Sequence, residues 1–591
     1  MRSRYLLLAA TGCGRELPDP VALARRTGLS LSLAADRFAL LTAGCPAIHL
    51  AGGKGVVIGT LFARHGRARA VGTLSEEDEA AILASEGAML LRSFWGGFVA
   101  MVPCGEGVRM LRDPCGALPC YYARCPGVLL FASDADLLID SGLVPCRIDW
   151  GALARHLHGG GMPVRETALA GIEELLPGFS IDMGPGSLEQ RQRWSPWDHV
   201  EPAPVRGRET LAEMLHRIVD HCVHAWSSRF RRVLVSVSGG LDSSIVASCL
   251  AKADVDCVCL TMFGEDPSGD EREHARRLAD HLGLRLIERP FRLSDVDIFT
   301  AIDGHLPRPT GRMQDAAYER AHLEVAGAED IDGFFTGSGG DNVLGFSQSA
   351  AAIADRWLVE GLGAGARQTL LDVCRQTGCS LAEAARAAWR IRWAPPGYCW
   401  RPDRLFLASE MIDRLGAFPR HPWLQAPPGA LPGKAAHIAA LLRVQQSLEP
   451  GRSRYAPVVH PLLSQPIAEF CLGIASWTWR SGGVDRAVAR DAFACDLPAE
   501  VVRRRGKGGP DGFSNRLVEH HRSAIADRLL DGHLAGHKLL DRAALELVLR
   551  DARPPGGAER VRILRLGAAE AWLDCWIERC AASRRTPQHP S

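Results

Sequence analysis

Apolar residues fall along this chain in two rhythms. Up to about Val200 they come in short runs, Tyr5 to Ala10, Gly55 to Phe62, Gly97 to Val102, Val108 to Arg112 and Val128 to Ala132, parted by turn residues, with a longer helical stretch from Ser75 to Ser93. That spacing predicts a sheet-rich layer with few helices. Beyond a Pro-containing linker around Glu201 to Arg208, runs rich in β-branched residues alternate with helical stripes. They are strand Val233 to Val237, helix Ser243 to Lys252, strand Asp256 to Met262, helix Asp270 to Gly283, strand Arg285 to Glu288 and strand Gly333 to Thr336. Strand and helix in alternation predict a doubly wound parallel sheet, which binds ligands at the carboxyl ends of its strands. Two domains are expected, 1–200 and 209–591, because 591 residues exceed what one core organises.

Composition narrows the function classes. A net charge of +1 leaves no electrostatic footprint for nucleic acid. No run approaches the roughly twenty apolar residues that span a bilayer, and the six from Tyr5 to Ala10 are short for a secretory signal, so they read as a first strand. Eighteen cysteines without a Cys-x-x-Cys pair argue against a zinc site and a disulfide framework. They are expected to be free thiols in a cytoplasmic protein.

Two glycine-rich loops carry the chemistry. After the strand Val233 to Val237 comes Ser238-Gly239-Gly240-Leu241-Asp242-Ser243-Ser244. Two glycines let the backbone turn its N–H groups into one concavity, with a helix N-terminus behind it, and that geometry holds phosphate. The hydroxyls of Ser238, Ser243 and Ser244 add donors, whereas Asp242 would repel a phosphate unless a divalent cation lay between them. A magnesium nucleotide is therefore implied, in a loop that matches neither Gly-x-x-x-x-Gly-Lys nor Gly-x-Gly-x-x-Gly. The second loop, Gly337-Ser338-Gly339-Gly340-Asp341-Asn342, closes the strand Gly333 to Thr336, so that Asp242 and Asp341 can share one Mg2+ from adjacent strand ends. Lysine is scarce, five residues in all, and Lys507 sits among glycines within Arg503 to Gly509, where a compact ammonium could reach a pyrophosphate or a developing oxyanion.

The first loop resembles the pyrophosphate loop of ATP pyrophosphatases that activate a carboxylate as its adenylate. Upstream, Phe94-Trp95-Gly96-Gly97-Phe98, then Arg112-Asp113-Pro114-Cys115-Gly116 with Tyr121-Tyr122, then Leu176-Pro177-Gly178 with Trp194, resemble in order and spacing the glutaminase domain of asparagine synthetases. The fold so implied is an N-terminal glutaminase-like (Ntn-type) αββα domain, followed by a doubly wound parallel-sheet ATP-pyrophosphatase (adenine nucleotide α-hydrolase-like) domain. That family's nucleophile is a cysteine at the processed N-terminus, and here position 2 is Arg2, while Cys13 cannot present an α-amine. Ammonia release is not expected, and the domain reads as kept for folding or peptide docking.

In asparagine synthetases and β-lactam synthetases the second loop carries a metal-binding aspartate at the place of Asp341, with a glutamate or tyrosine where this chain has Ser338. The segment His460-Pro461-Leu462-Leu463-Ser464-Gln465-Pro466, with Glu469, is similar to the asparagine synthetase stretch Glu-x-Arg-x-Pro-Phe-Leu-Asp, but Pro457 and Val459 replace its acid and arginine. No pocket for free aspartate is therefore expected. The resemblance implies nucleotide binding by Ser236, Ser238, Gly239, Gly240, Asp242, Ser243, Ser244, Met262, Gly337 and Ser338, metal binding by Asp242 and Asp341, and catalysis by Lys507 with the two acids.

Taken with Gly483-Val484-Asp485-Arg486 and Arg505-Gly506-Lys507-Gly508-Gly509, the chain from Phe94 to Phe513 looks most like the lasso peptide cyclases. That family adenylates an Asp or Glu side chain of a precursor peptide with ATP and Mg2+ and closes a macrolactam with the peptide's own α-amine. The implied partners are that peptide and the leader peptidase or leader-binding protein of the same pathway. Three other readings stand beside it: a β-lactam-synthetase-like enzyme on a small molecule, an ammonia-dependent amide ligase, and a nucleotide-binding regulator without turnover.

Overall fold

The structure is a computed structural model of the whole chain, described here for all residues except 1–2, 12–16, 185–186, 201–206, 267–268, 417, 419, 507, 510, 552 and 586–591. Arg2, Cys13 and Lys507, which the sequence singles out, lie outside the described residues.

In the N-terminal part the short apolar runs pair into two antiparallel sheets. Their strands are β1 (Arg4–Ala10), β2 (Ser30–Ala34), β3 (Phe38–Ala43), β4 (Ala47–His49), β5 (Val56–Ala63), β6 (Phe94–Cys104), β7 (Gly107–Arg112), β8 (Tyr121–Cys125), β9 (Val128–Ala132), β10 (Ile172–Glu174), β11 (Phe179–Gly184) and β12 (Ser187–Gln192). One sheet runs β10-β8-β9-β1-β3-β2 and the other β12-β11-β7-β6-β5-β4. They face each other across a core containing Tyr5, Leu7, Leu40, Val56, Ile58, Met101, Met110 and Phe131. The Tyr5 to Ala10 run is apolar throughout because both of its faces are covered: Tyr5 and Leu7 point into the sandwich, Leu6 and Leu8 into helices beyond it. The single helix expected from Ser75 to Ser93 is two, Glu76–Ala84 and Ala88–Ser93. Glu86 (φ 49°) and Gly87 (φ 86°) reverse the backbone between them, a turn that glycine makes without strain.

The second rhythm builds a five-stranded parallel sheet from β13 (Arg232–Ser236), β14 (Asp256–Phe263), β15 (Arg285–Pro290), β16 (Gly333–Phe335) and β17 (Val458–Val459), ordered β15-β14-β13-β16-β17. The chain runs outward from β13 to β15, then returns to the other side of β13 as β16. The switch point thus lies between β13 and β16, the two strands that lead into the glycine loops. Val233 and Val235 enter one buried cluster and Leu234 another, which is why β13 reads as an unbroken apolar run.

The sandwich is gripped on both outer faces. Phe62 and Trp95 share a cluster with Trp226 of helix Arg208–Ser227, while Leu6 and Leu130 share another with Trp572 and Trp576 of helix Gly557–Arg585. That second contact corrects the expectation that all cysteines are thiols. Cys146 and Cys580 meet there and form a disulfide across 434 residues, while the other described cysteines are free. Among the described residues no helix is long and apolar enough to cross a membrane.

Candidate active site

β13 ends at Ser236, and the chain turns through Gly239 (φ 62°) into helix Leu241–Lys252. A Cβ on Gly239 would lie 2.3 Å from that of His274, so only glycine fits. The second loop, leaving β16, presses directly on the first. A Cβ on Gly337 would stand 2.5 Å from the Ser243 amide nitrogen, and one on Gly340 would stand 2.4 Å from Cγ of Asp242. Glycines at both places let the loops touch, which sets Asp341 beside Asp242.

The two acids converge on a single positive charge. Nη1 of Arg486 donates to both carboxylate oxygens of Asp242, at 2.8 and 2.9 Å, and to Oδ1 of Asp341 at 2.6 Å. Burial opposes the charge on Arg486, but Asp242, Asp341 and Asp485 outweigh it, so its pKa is raised.

The loops open on a cavity of about 460 Å3, within the range of small-molecule sites. Of the residues expected there, Ser236, Ser238, Gly240, Asp242, Ser243, Met262, Gly337, Ser338 and Asp341 line it. Gly239 is packed under His274, and Ser244 is buried in the helix with its hydroxyl donated to the Gly240 carbonyl at 2.8 Å. Ser236 is held from behind, its hydroxyl receiving the Tyr318 hydroxyl at 2.7 Å and contacting Nε2 of His322 at 2.7 Å. The Tyr318 carbonyl lies 2.8 Å from Nδ1 of His322, so the ring proton belongs on Nδ1 and Ser236 donates to Nε2. Burial, with Arg452 adding to it, drives the His322 pKa far below the usual range, so this ring stays neutral.

A third segment reaches over the same cavity. Arg504 donates to the Ser238 carbonyl at 2.8 Å and to Glu271 at 2.6 Å, and the Gly508 amide donates to the same Glu271 oxygen at 3.0 Å. Arg504, itself held by Glu271, thus straps this stretch to the first glycine loop, and Arg504, Gly506, Gly508 and Gly509 line the cavity.

The donor set suits a magnesium nucleotide. Two hard carboxylates from separate loops already meet at one cation, and among the described residues there is no cluster of three or more His, Cys, Asp or Glu that could hold a metal. Mg2+ needs one or two carboxylates when phosphates and water complete its shell. Asp242 and Asp341 would hold it, and it would neutralise phosphate charge. Sequence reasoning missed Arg486, Glu271 and Arg504 as parts of this site. Arg486 was legible only as part of a family motif, and nothing in its spacing shows that it reaches a loop 244 residues earlier.

The asparagine synthase family matches residues 214–425 and 454–574, more than half of the chain. Carboxyethyl-arginine beta-lactam-synthase of Streptomyces clavuligerus is 29% identical over 196 residues, 32% of this chain and 34% of that protein. The chain thus spans about a third of the length of the curated relative it matches. Among solved structures, the glutamine phosphoribosylpyrophosphate amidotransferase from B. subtilis complexed with ADP and GMP is 11% identical, with a TM-score of 0.20, over 51% of this chain and 77% of that one. NAD+ synthetase from Burkholderia pseudomallei is 17% identical, with a TM-score of 0.15, over 51% and 91%. At these scores neither likeness says anything further of this chain.

Proposed function

The chain belongs to the asparagine synthase family, and within it we propose an ATP-dependent amide ligase that closes a macrolactam in a lasso-type precursor peptide. The observation that carries the adenylation half is the meeting of Asp242 and Asp341 at one cation, beside a glycine loop and a cavity large enough for a nucleotide. A side-chain carboxylate of the peptide attacks the α-phosphorus of ATP, pyrophosphate leaves toward the Ser238 to Ser243 loop, and an acyl-adenylate results. The peptide's α-amine then attacks the acyl carbon and AMP departs. Because donor and acceptor belong to one molecule, pre-ordering can supply roughly 7 to 11 kcal/mol of the barrier.

Within this reading the chain's own residues divide the work. The turn at Gly239 and Gly240 offers backbone donors to the phosphates, and Asp242 and Asp341 hold the metal. Lys507, outside the described residues but flanked by the cavity-lining Gly506 and Gly508, is assigned to the charge that develops as the amine attacks. The peptide reading is supported by Pro457 and Val459, which stand where the asparagine synthetase segment has its acid and arginine. The pathway's leader peptidase or leader-binding protein is the proposed partner. A second reading is favoured by the beta-lactam-synthase relative: the same two steps on a small molecule, which here would have to proceed with Ser338 where a tyrosine is expected.

One assay separates them. Purified protein with Mg2+ and ATP is offered a precursor peptide, free aspartate with ammonia, or a small β-amino acid. Pyrophosphate release and the loss of one water from the peptide mass are expected for the peptide alone. Turnover of the β-amino acid without the peptide would replace this reading with the second one.

A further inference from the structure

Arg486 occupies the place a metal would need. Its Nη1 touches three carboxylate oxygens from two loops, and those are the oxygens that Asp242 and Asp341 would offer to Mg2+. A cation placed where the two acids converge would have to displace this guanidinium from that point. In this same position the side chain also reaches Asp485 and Phe346. Its Nε lies 3.3 Å from Oδ1 of Asp485, its guanidinium carbon stands 5.4 Å from the Phe346 ring centre, and both Asp485 and Phe346 line the same cavity. The backbone that presents it is in the left-handed region, φ 49° and ψ 37°, an arrangement that is unfavourable for a non-glycine residue and persists where its surroundings hold it. Asp485 is itself anchored by Arg490 at 2.5 Å, so the acid that braces Arg486 is held in place.

We propose that Arg486 is a resident counter-ion of the nucleotide site, holding Asp242 and Asp341 together while the nucleotide is absent and yielding both to the metal that arrives with the triphosphate. This rests on the reading of the site as one for a magnesium nucleotide. Two carboxylates this close repel each other unless a positive charge lies between them, and Arg486 supplies it from within the chain. A free divalent ion must then compete with a built-in cation, whereas a metal nucleotide brings phosphates toward which the displaced guanidinium can turn its fork of donors. The metal is thereby admitted with the nucleotide rather than before it.

The test reads metal binding directly, on the full chain without ATP or peptide. Mn2+ is titrated into wild type, Arg486→Met and Arg486→Met with Asp242→Asn, and free Mn2+ is followed by electron paramagnetic resonance. Arg486→Met should bind Mn2+ at least tenfold more tightly than wild type, and the added Asp242→Asn should remove the gain. Equal Mn2+ affinities for wild type and Arg486→Met, both folded by circular dichroism, overturn the proposal. If Arg486→Met does not fold, Arg486→Gln is titrated in its place, with the same tenfold gain expected and an affinity equal to wild type overturning the proposal. Pyrophosphate exchange by wild type reports on adenylation separately. Exchange without the Mn2+ effect sinks this inference alone, and no exchange with any carboxylate sinks the adenylation reading.

Discussion

Two clusters of arginine and aspartate in this molecule hold the same groups and do different things. At the end of β7, Asp113 accepts from the amides of Phe98, Cys115 and Gly116, and Arg112 donates to the carbonyls of Leu118, Leu175 and Gly116 and to Glu174. Burial lifts the Asp113 pKa to about 6, even against Arg112 and three backbone donors. Backbone groups take up the bonding capacity of this pair, which therefore shapes a turn. At the other cluster, Asp242, Asp341 and Arg486 bond to one another on the wall of a cavity, and Asp341 keeps 44% of its side chain exposed. A charge whose partners are other movable side chains can exchange them for a ligand, and one bonded to backbone cannot.

The strongest way to break that contrast is to neutralise the second cluster. Asp242→Asn and Asp341→Asn should each lower pyrophosphate exchange by at least a hundredfold, since in the proposed reading each removes a metal ligand. Melting without ATP should change by no more than a few degrees, because each change also relieves repulsion between two acids. Undiminished exchange by either purified variant would return both acids to the role of structural partners for Arg486.

The same operation on the first cluster should show the reverse pattern. Arg112→Met leaves the buried Asp113 and the half-buried Glu174 with one positive partner fewer, Glu174 keeping Arg308 at 2.9 Å, and breaking a buried pair costs about 3 to 5 kcal/mol. Denaturant midpoints should fall accordingly, while exchange per folded molecule stays near wild type. A variant of full stability that has lost exchange would mean that the sandwich takes part in the chemistry.

Lys507 sharpens the comparison within the site itself. If its ammonium meets the charge of amine attack, Lys507→Met should cost about 2.7 to 4 kcal/mol in ring closure, as for one removed oxyanion donor. Pyrophosphate exchange should fall less. Lys507→Arg should rescue poorly, being fork-shaped where a point charge is wanted. Side-by-side rates of exchange and of water loss from the peptide decide it, and wild-type cyclisation by both variants removes Lys507 from the mechanism.

What could be read in the sequence was what is local. β13 reads as a buried strand because its own residues alternate between two covered faces, and the glycines of both loops announce turns that the contacts at Gly239, Gly337 and Gly340 require. Arrangements made by distant partners left no mark. Arg486 reaches Asp242 across 244 residues, Cys146 meets Cys580 across 434, and β17, two residues long, is a strand only because β16 lies beside it. The break at Glu86 and Gly87 was visible as a glycine, but a lone glycine within a helical pattern does not say whether the helix tolerates it or ends there.

The smallest effect concerns His460, at the root of the second loop. Its Nδ1 lies 2.7 Å from the Thr336 hydroxyl at the root of the second loop, and its Nε2 lies 3.0 Å from the Leu448 carbonyl beside an inter-domain cavity that His460 also lines. The carbonyl fixes the ring proton on Nε2, so a neutral ring satisfies both contacts. Burial holds its pKa down at about 4, with the Leu448 carbonyl opposing and Arg452 adding to the effect. The unfolded ring titrates near 6.5, so between about pH 6.5 and 4 the unfolded chain binds the extra proton. The contribution is therefore complete above about pH 6.5 and is lost as pH falls toward 4, by up to about 1.4 kcal/mol per pH unit. His460→Gln should be less stable than wild type at pH 8 by about 1 kcal/mol for imperfectly replaced hydrogen bonds. Its stability should also fall less steeply with acid, the gap closing or reversing by pH 5. Other buried groups titrate in the same window, among them Asp113, but they are common to both proteins and cancel in the difference. Denaturant unfolding at pH 8, 6 and 5 measures that difference, and parallel lines for the two proteins would show that His460 is not held neutral between Thr336 and Leu448.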